Sequence, residues 1–217
     1  SFTILQGQKS FILDIPLTIY FLNGQKKKEW YRIDKQKNNI ILSFDYEPEK
    51  IVIDEDYDVF RRLATNEIPP VIAALIGEQD IIIVPSENKE IYRDIIDYFI
   101  EQGAEEKINP KDSDIKDSSV LIIGNNSIIK RIFGKIDRTE AGFSLMVKKN
   151  PWNPKKVIAL LNARSKEDVD SAFKKIFHYD KYSEIAFEKG MNVSKRVDMS
   201  ENGIKAVLME EPAIIDT

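Results

Sequence analysis

The reading of the fold turns on Lys148 to Ser165, KKNPWNPKKVIALLNARS. Pro151 and Pro154 bracket Trp152, the apolar run Val157 to Leu161 follows, and Asn-Ala-Arg-Ser closes the stretch. Proline fixes φ and withholds a donor, so the bracketed Trp marks a rigid turn. An apolar run without alternation marks a strand buried on both faces. Ser165 with Asp168 three residues on has the form of a capping box, with Asp in place of the usual Glu, and opens a helix. That helix turns Val169, Ala172, Phe173 and Ile176 to one side.

Two similar units lie upstream, with the runs Ile81–Val84 and Val120–Ile123 as their strands. After the first, Ser86 or Asn88 can cap a helix to about Gln102, with Ile91, Ile95 and Phe99 on its inner face and Gly103 as the stop. After the second, Asn125 or Asn126 caps a shorter helix carrying Ile128, Ile129, Ile132 and Phe133, closed by Gly134. Pro69-Pro70 leads a short helix over 71–76. Phe143–Val147 and Ile185–Phe187 read as further strands at the sheet edges. Asp112–Ser119 reads as a polar loop, and the tail from Asn192 as a hairpin around Glu201-Asn202-Gly203. Alternating strands and helices predict a small α/β domain over 63–217 with a mostly parallel sheet.

Residues 1–62 follow another rule. Five extended segments (2–6, 11–22, 28–33, 40–46 and 50–53) are separated by Gly7, Asn23-Gly24, Lys37-Asn38-Asn39 and Glu47-Pro48. Ile15, Leu17, Ile19 and Phe21 alternate with Thr18 and Tyr20, and Asn23-Gly24 between two such runs signals a hairpin. Strands so spaced predict an antiparallel sandwich. About 60 residues are few for one, so part of it is expected before Ser1, and the strand-like opening without an initiator Met reads as a fragment of a longer protein.

Of the 217 residues, 42% are hydrophobic and 31% charged, the composition of an ordinary globular chain. The formal charge of −4 argues against nucleic acid as the partner. There is no cysteine and one histidine, His178, which removes disulfides, thiolate zinc sites and cysteine nucleophiles and leaves too few ligands for a zinc hydrolase centre. No apolar run approaches the roughly 18 residues of a membrane span.

The run Phe11 to Ile19, followed by Pro48 to Asp54, resembles the immunoglobulin-like sandwich that follows the catalytic domain in gluzincin zinc aminopeptidases, the membrane alanyl aminopeptidase family. Asp54 to Leu63, then Glu67-Ile68-Pro69-Pro70, resembles a bacterial branch with an additional terminal domain. Asn150 to Pro154 and Phe177 to Ser183 are similar to that domain. A looser similarity, Asn-Pro-Trp, a buried strand and Ser-x-Glu-Asp-Val, links this half to flavodoxin-like domains of extracytoplasmic glycan-export subunits. The resemblance implies a partial immunoglobulin-like sandwich followed by a flavodoxin- or Rossmann-like α/β domain. It places zinc in an upstream catalytic domain of the parent, which leaves no cofactor in this chain and makes that domain its partner. The parent could be extracytoplasmic. The zinc motif H-E-x-x-H and the substrate-anchoring Gly-x-Met-Glu-Asn are absent here, so no catalytic residue carries over.

In open α/β sheets ligands bind beyond the carboxyl ends of the strands. Those ends carry Ser86, Asn125, Asn126, Arg164 and Ser165, whose helix-start amides and guanidinium suit an anion. The plainer account is that Ser and Asn stand there as caps. The nucleotide-binding motifs G-x-G-x-x-G and the P-loop are both missing. Asp54, Glu55, Asp56 and Asp58 admit a calcium loop or a solvated turn. His178 has no nucleophile in a recognisable motif beside it. Trp152 reads as a plug at a core edge, or as a contact for a partner. Two functions follow: a non-catalytic region that braces a peptidase and shapes access or docks partners, or a module binding an anionic small molecule or glycan.

Overall fold

In a computed structural model of the chain, residues 1–207 are described, apart from Gln8, Asn125, Arg138 and the side chains of Asn126, Ala206 and Val207. Two compact units result: Ser1–Glu67 with the described residues from Ser200 to Val207, and Ile68–Met199.

The first unit begins with β1 (Phe2–Leu5), β2 (Leu13–Phe21), β3 (Lys26–Ile33), β4 (Lys37–Ile40) and β5 (Pro48–Ile53). β2 and β3 pair antiparallel across the Asn23-Gly24 turn, where Gly24 takes φ 82°, a value that suits glycine. β2 lies between β3 and β5. Ile15, Leu17, Ile19 and Phe21 point into one core with Ile33, Ile40 and Ile51, and partly buried Phe2 and Ile4 pack against it. Thr18, on the other face of β2 between Lys28 and Val52 of its two neighbour strands, is buried as well. The expected strand over 40–46 lies elsewhere. Asn38 accepts from the Asp34 and Lys35 amides at 3.2 and 3.1 Å, making the turn while itself pairing with Ile4, so the strand is Lys37–Ile40.

The second unit runs α1 (Ile72–Ile76), β6 (Ile81–Val84), a 3-10 turn at Lys89–Tyr92, α2 (Arg93–Glu101), β7 (Glu105–Glu106), α3 (Asp112–Asp117), β8 (Ser119–Ile123), α4 (Asn126–Phe133), β9 (Phe143–Asn150), β10 (Asn153–Ala163), α5 (Lys166–Ile176), β11 (Glu184–Glu188) and β12 (Met191–Arg196). Its seven strands form one sheet in the order β12-β11-β9-β10-β8-β6-β7. Only the half from β10 to β7 is parallel; β9, β11 and β12 join antiparallel. The sheet is therefore mixed, not mostly parallel. The cause is the opening stretch itself. The Pro151-Trp152 turn folds β10 back on β9 as a hairpin, and the apolar run Phe143–Val147, expected at an edge, becomes an inner strand. Asn150 anchors the turn: its side-chain amide donates to Ile115 O at 2.6 Å, and its oxygen accepts from Trp152 N at 3.1 Å.

Alternate residues of each parallel strand face opposite helices. Ile81, Ile83, Leu121 and Ile123 pack with Ile95 and Phe99 of α2, Val169 of α5 and Leu75 of α1. Ile82, Val84, Val120 and Ile122 pack with Ile115 of α3 and Ile129 of α4. The expected polar loop at Asp112–Ser119 is thus helix α3, because its one large apolar residue, Ile115, is fully buried while Asp114 accepts from the Lys111 amide at 2.8 Å across the first turn.

β13 (Ile204–Val207) then pairs antiparallel with β5. Of the tail expected in the α/β domain as a hairpin, from Asn192 to Thr217, Asn192–Arg196 belongs to β12 in the α/β sheet, Ile204–Val207 instead joins the β unit, and 208–217 lie outside the described residues, so that the α/β unit is an insertion between two neighbouring strands. The connections leave and return side by side, Glu201 N donating to Asn66 O at 3.1 Å and Asn66 Nδ2 to Glu201 Oε2 at 2.6 Å. The β unit also extends past the expected boundary at 62. Arg61 donates to Asp54 Oδ2 at 2.6 Å and, through both terminal nitrogens, to Glu67 at 2.8 and 2.6 Å. The two carboxylates are buried, at 1% and 2% exposure. Burying them is tolerable because one bidentate guanidinium compensates both.

Candidate functional site

The chain after β6 passes through α2 to β7 on one side, whereas the chain after β8 leaves through α4 on the opposite face toward β9 and β10. The carboxyl ends of β6 and β8 therefore flank a topological switch point, the place where open α/β sheets hold ligands. A crevice of about 620 Å³ opens there. Pro85, Ser86, Glu87 and Lys89 line it after β6; Glu106, Ile108 and Asn109 line it from β7 onward; Gly124 and Ser127 close it at the β8–α4 turn.

Local sequence explains the shape. Gly124 has φ 61°, and a Cβ there would stand 3.0 Å from Ser86 Oγ, so glycine lets the two strand ends approach. Ser86 Oγ accepts from Asn88 N at 3.3 Å and shapes the turn into the 3-10 segment. Tyr92, buried, accepts from Ala163 N at 2.9 Å and donates to Ala163 O at 3.1 Å, tying that segment to the end of β10. Lys89 Nζ lies 2.9 Å from Glu106 Oε1, so among the described lining residues the one lysine is matched by one of two glutamates.

The five residues expected to share one site do not all do so. Ser86 lines the crevice. Asn125 lies outside the described residues, and Asn126 opens α4 without a described side chain. Ser165 is a helix cap: its Oγ accepts from Asp168 N at 3.2 Å and donates to Asp168 Oδ2 at 3.1 Å. Arg164 pairs with Glu188 at the end of β11 at 3.1 Å and is not part of the crevice lining. Lys89, Glu106, Ile108, Asn109 and Ser127 of the lining, and Tyr92, are the members that sequence reasoning missed. Gly124 was legible as a glycine directly after a buried strand; Tyr92 gave no signal, since its partners lie 71 residues away.

Other candidates resolve differently. The acidic run binds its own unit and is not simply solvated: Asp54 holds Arg61, Glu55 accepts from the Tyr20 hydroxyl, and Asp56 and Asp58 hold Lys28 at 2.7 and 2.8 Å. The Glu55 hydrogen bond, with partial burial, pushes the Tyr20 phenol up to about 12. With Asp54 on Arg61, Glu55 on Tyr20 and only Asp56 and Asp58 sharing Lys28, the four carboxylates do not converge on one point, and no group of three or more His, Asp or Glu side chains suited to a metal occurs among the described residues. His178 is exposed at the end of α5. Trp152, read as a core plug or a partner contact, is 44% exposed in its turn and does not plug the core. A smaller hollow of about 240 Å³ at the opposite strand ends is lined by Asp80, Glu105, Asp114 and Asp117, with Lys107 bound to Glu105 and Asp114. No described helix is long and apolar enough to cross a membrane.

No family model and no curated protein matches the chain.

Proposed function

We propose that this chain is the non-catalytic C-terminal region of a gluzincin aminopeptidase-like protein, with a ligand-binding crevice in its inserted α/β unit. The β unit, read as part of an immunoglobulin-like sandwich, braces the catalytic domain. The α/β unit, flavodoxin-like in its switch point, binds a small molecule there or docks a partner. The crevice between the β6 and β8 ends carries the binding part of this reading. The peptidase part rests on the sequence resemblance, together with a composition of one histidine and no cysteine.

The two parts have separate tests. A gene that encodes H-E-x-x-H and a distant Glu upstream of Ser1 supports the peptidase setting, and an upstream region without them refutes it. Purified chain that cleaved aminoacyl substrates in a metal-dependent way would refute the non-catalytic role. Binding is read by thermal shift against sugars, phosphates, polyamines and peptides, because any ligand selective for the native state raises stability. A saturable rise that disappears in Gly124→Val supports the crevice; no rise with any class refutes it.

A further inference from the structure

The charges and surfaces around the crevice narrow its ligand further, given that the crevice is the binding site. The helix-start arrangement suggested an anion, but its one cationic group and one of its hydroxyls are engaged elsewhere: Arg164 by Glu188, and the Ser165 hydroxyl by its own helix. Lys89 is held by Glu106 at 2.9 Å, and Glu87 adds a second carboxylate, so the lining carries a net formal charge of about −1. A phosphate or carboxylate entering there meets like charge.

What remains is paired donors and acceptors beside hydrocarbon. Ser86 has a hydroxyl proton to donate beside the bond it accepts from Asn88 N, Asn109 has both amide donors and an acceptor, and the glutamates accept. Ile108, 71% exposed, stands on the same wall as an uncovered apolar surface. A molecule that presents hydroxyls on its rim and C–H groups on its face satisfies both. At about 620 Å³ the crevice lies within the range of small-molecule sites. We infer that the crevice binds an uncharged, hydroxyl-rich ligand, a neutral mono- or disaccharide, and not an anion.

The test uses the whole chain, ¹⁵N-labelled, titrated with glucose, N-acetylglucosamine, glucose 6-phosphate and spermidine. Saturable shifts of the Ser86, Gly124 and Ser127 amides with the neutral sugars are expected. Glucose 6-phosphate should bind about fivefold more weakly than glucose, the cost of one like charge a few ångströms away in water. In Glu87→Gln/Glu106→Gln, which reverses the sign of the lining, the ratio of the two affinities should fall to about one or below, and a fivefold gap that persists would overturn the charge argument. Saturable binding of glucose 6-phosphate or spermidine at these amides without the neutral sugars would overturn the ligand class and leave the site standing. Shifts that fail to saturate with every probe would overturn both.

Discussion

Replacing Arg61 by Met removes the one guanidinium that serves two buried carboxylates. Arg61 is 17% exposed, and the Asp54 and Glu67 side chains it holds are 1% and 0% exposed. Breaking a buried pair by deleting one partner costs about 3–5 kcal/mol, because the remaining charge stays buried without compensation. That is a large part of the roughly 5–15 kcal/mol that keeps a domain folded. At 1.36 kcal/mol per decade it corresponds to roughly two to nearly four orders of magnitude in the opening equilibrium. Hydrogen exchange by mass spectrometry reads this unit alone through peptides of β2. Those amides should exchange faster by that factor in Arg61→Met, while peptides of β8 and β10 should change little.

The effect has a pH signature. Hydrogen bonding from Arg61 holds the Glu67 carboxyl below its ordinary value, with the Ala64 amide adding to it against the effect of burial. A depressed carboxyl contributes stability that is complete above its unfolded pKa, about 4.3, and lost as pH falls through the lower folded value. Without Arg61 the buried Glu67 carboxylate favours protonation instead, so the variant's deficit should shrink as pH falls toward about 4.5. The triple variant Asp54→Asn/Arg61→Met/Glu67→Gln should recover most of the loss at neutral pH, since no charge is left uncompensated. An exchange change under about tenfold in Arg61→Met, or a deficit independent of pH, would refute the reasoning.

Three further outcomes follow from the packing. Excised Ile68–Met199 should fold cooperatively by itself, because both core clusters of the α/β unit lie within it; a non-cooperative melt would contradict this. Gly203→Ala should destabilise the β unit by about 2–4 kcal/mol in urea unfolding, since a Cβ there would sit 2.6 Å from Ile53 O at φ 69°. Gly24→Ala, in open space, should cost only about 1–2 kcal/mol, and equal costs would count against the β13 packing. Tyr92→Phe should cost the α/β unit about 1–3 kcal/mol by leaving the Ala163 amide without its acceptor, and an unchanged unfolding midpoint would mean that contact carries nothing.

The stretch from Lys148 to Ser165 shows where sequence and structure divide. Its turn, buried strand and Ser165 cap were legible because each depends on neighbours within four residues: proline geometry, an unbroken apolar run, a hydroxyl and an amide one helical turn apart. Gly124 with Ser86 and the hairpin at Asn23-Gly24 belong to the same class. What that strand lies against was not legible. An apolar run reads the same whether its neighbours are parallel or antiparallel, so β9 beside β10 was misplaced. Ile115 in a polar run, the capture of Arg164 by Glu188 and the buried Asp54–Arg61–Glu67 knot likewise depend on partners brought in by the fold. So does the return of Ile204–Val207 to β5 after an entire inserted unit. Local chemistry determined which segments become strands, helices and caps. Long-range packing decided their order in the sheets, which charges are spent on one another, and hence what the crevice is left to bind.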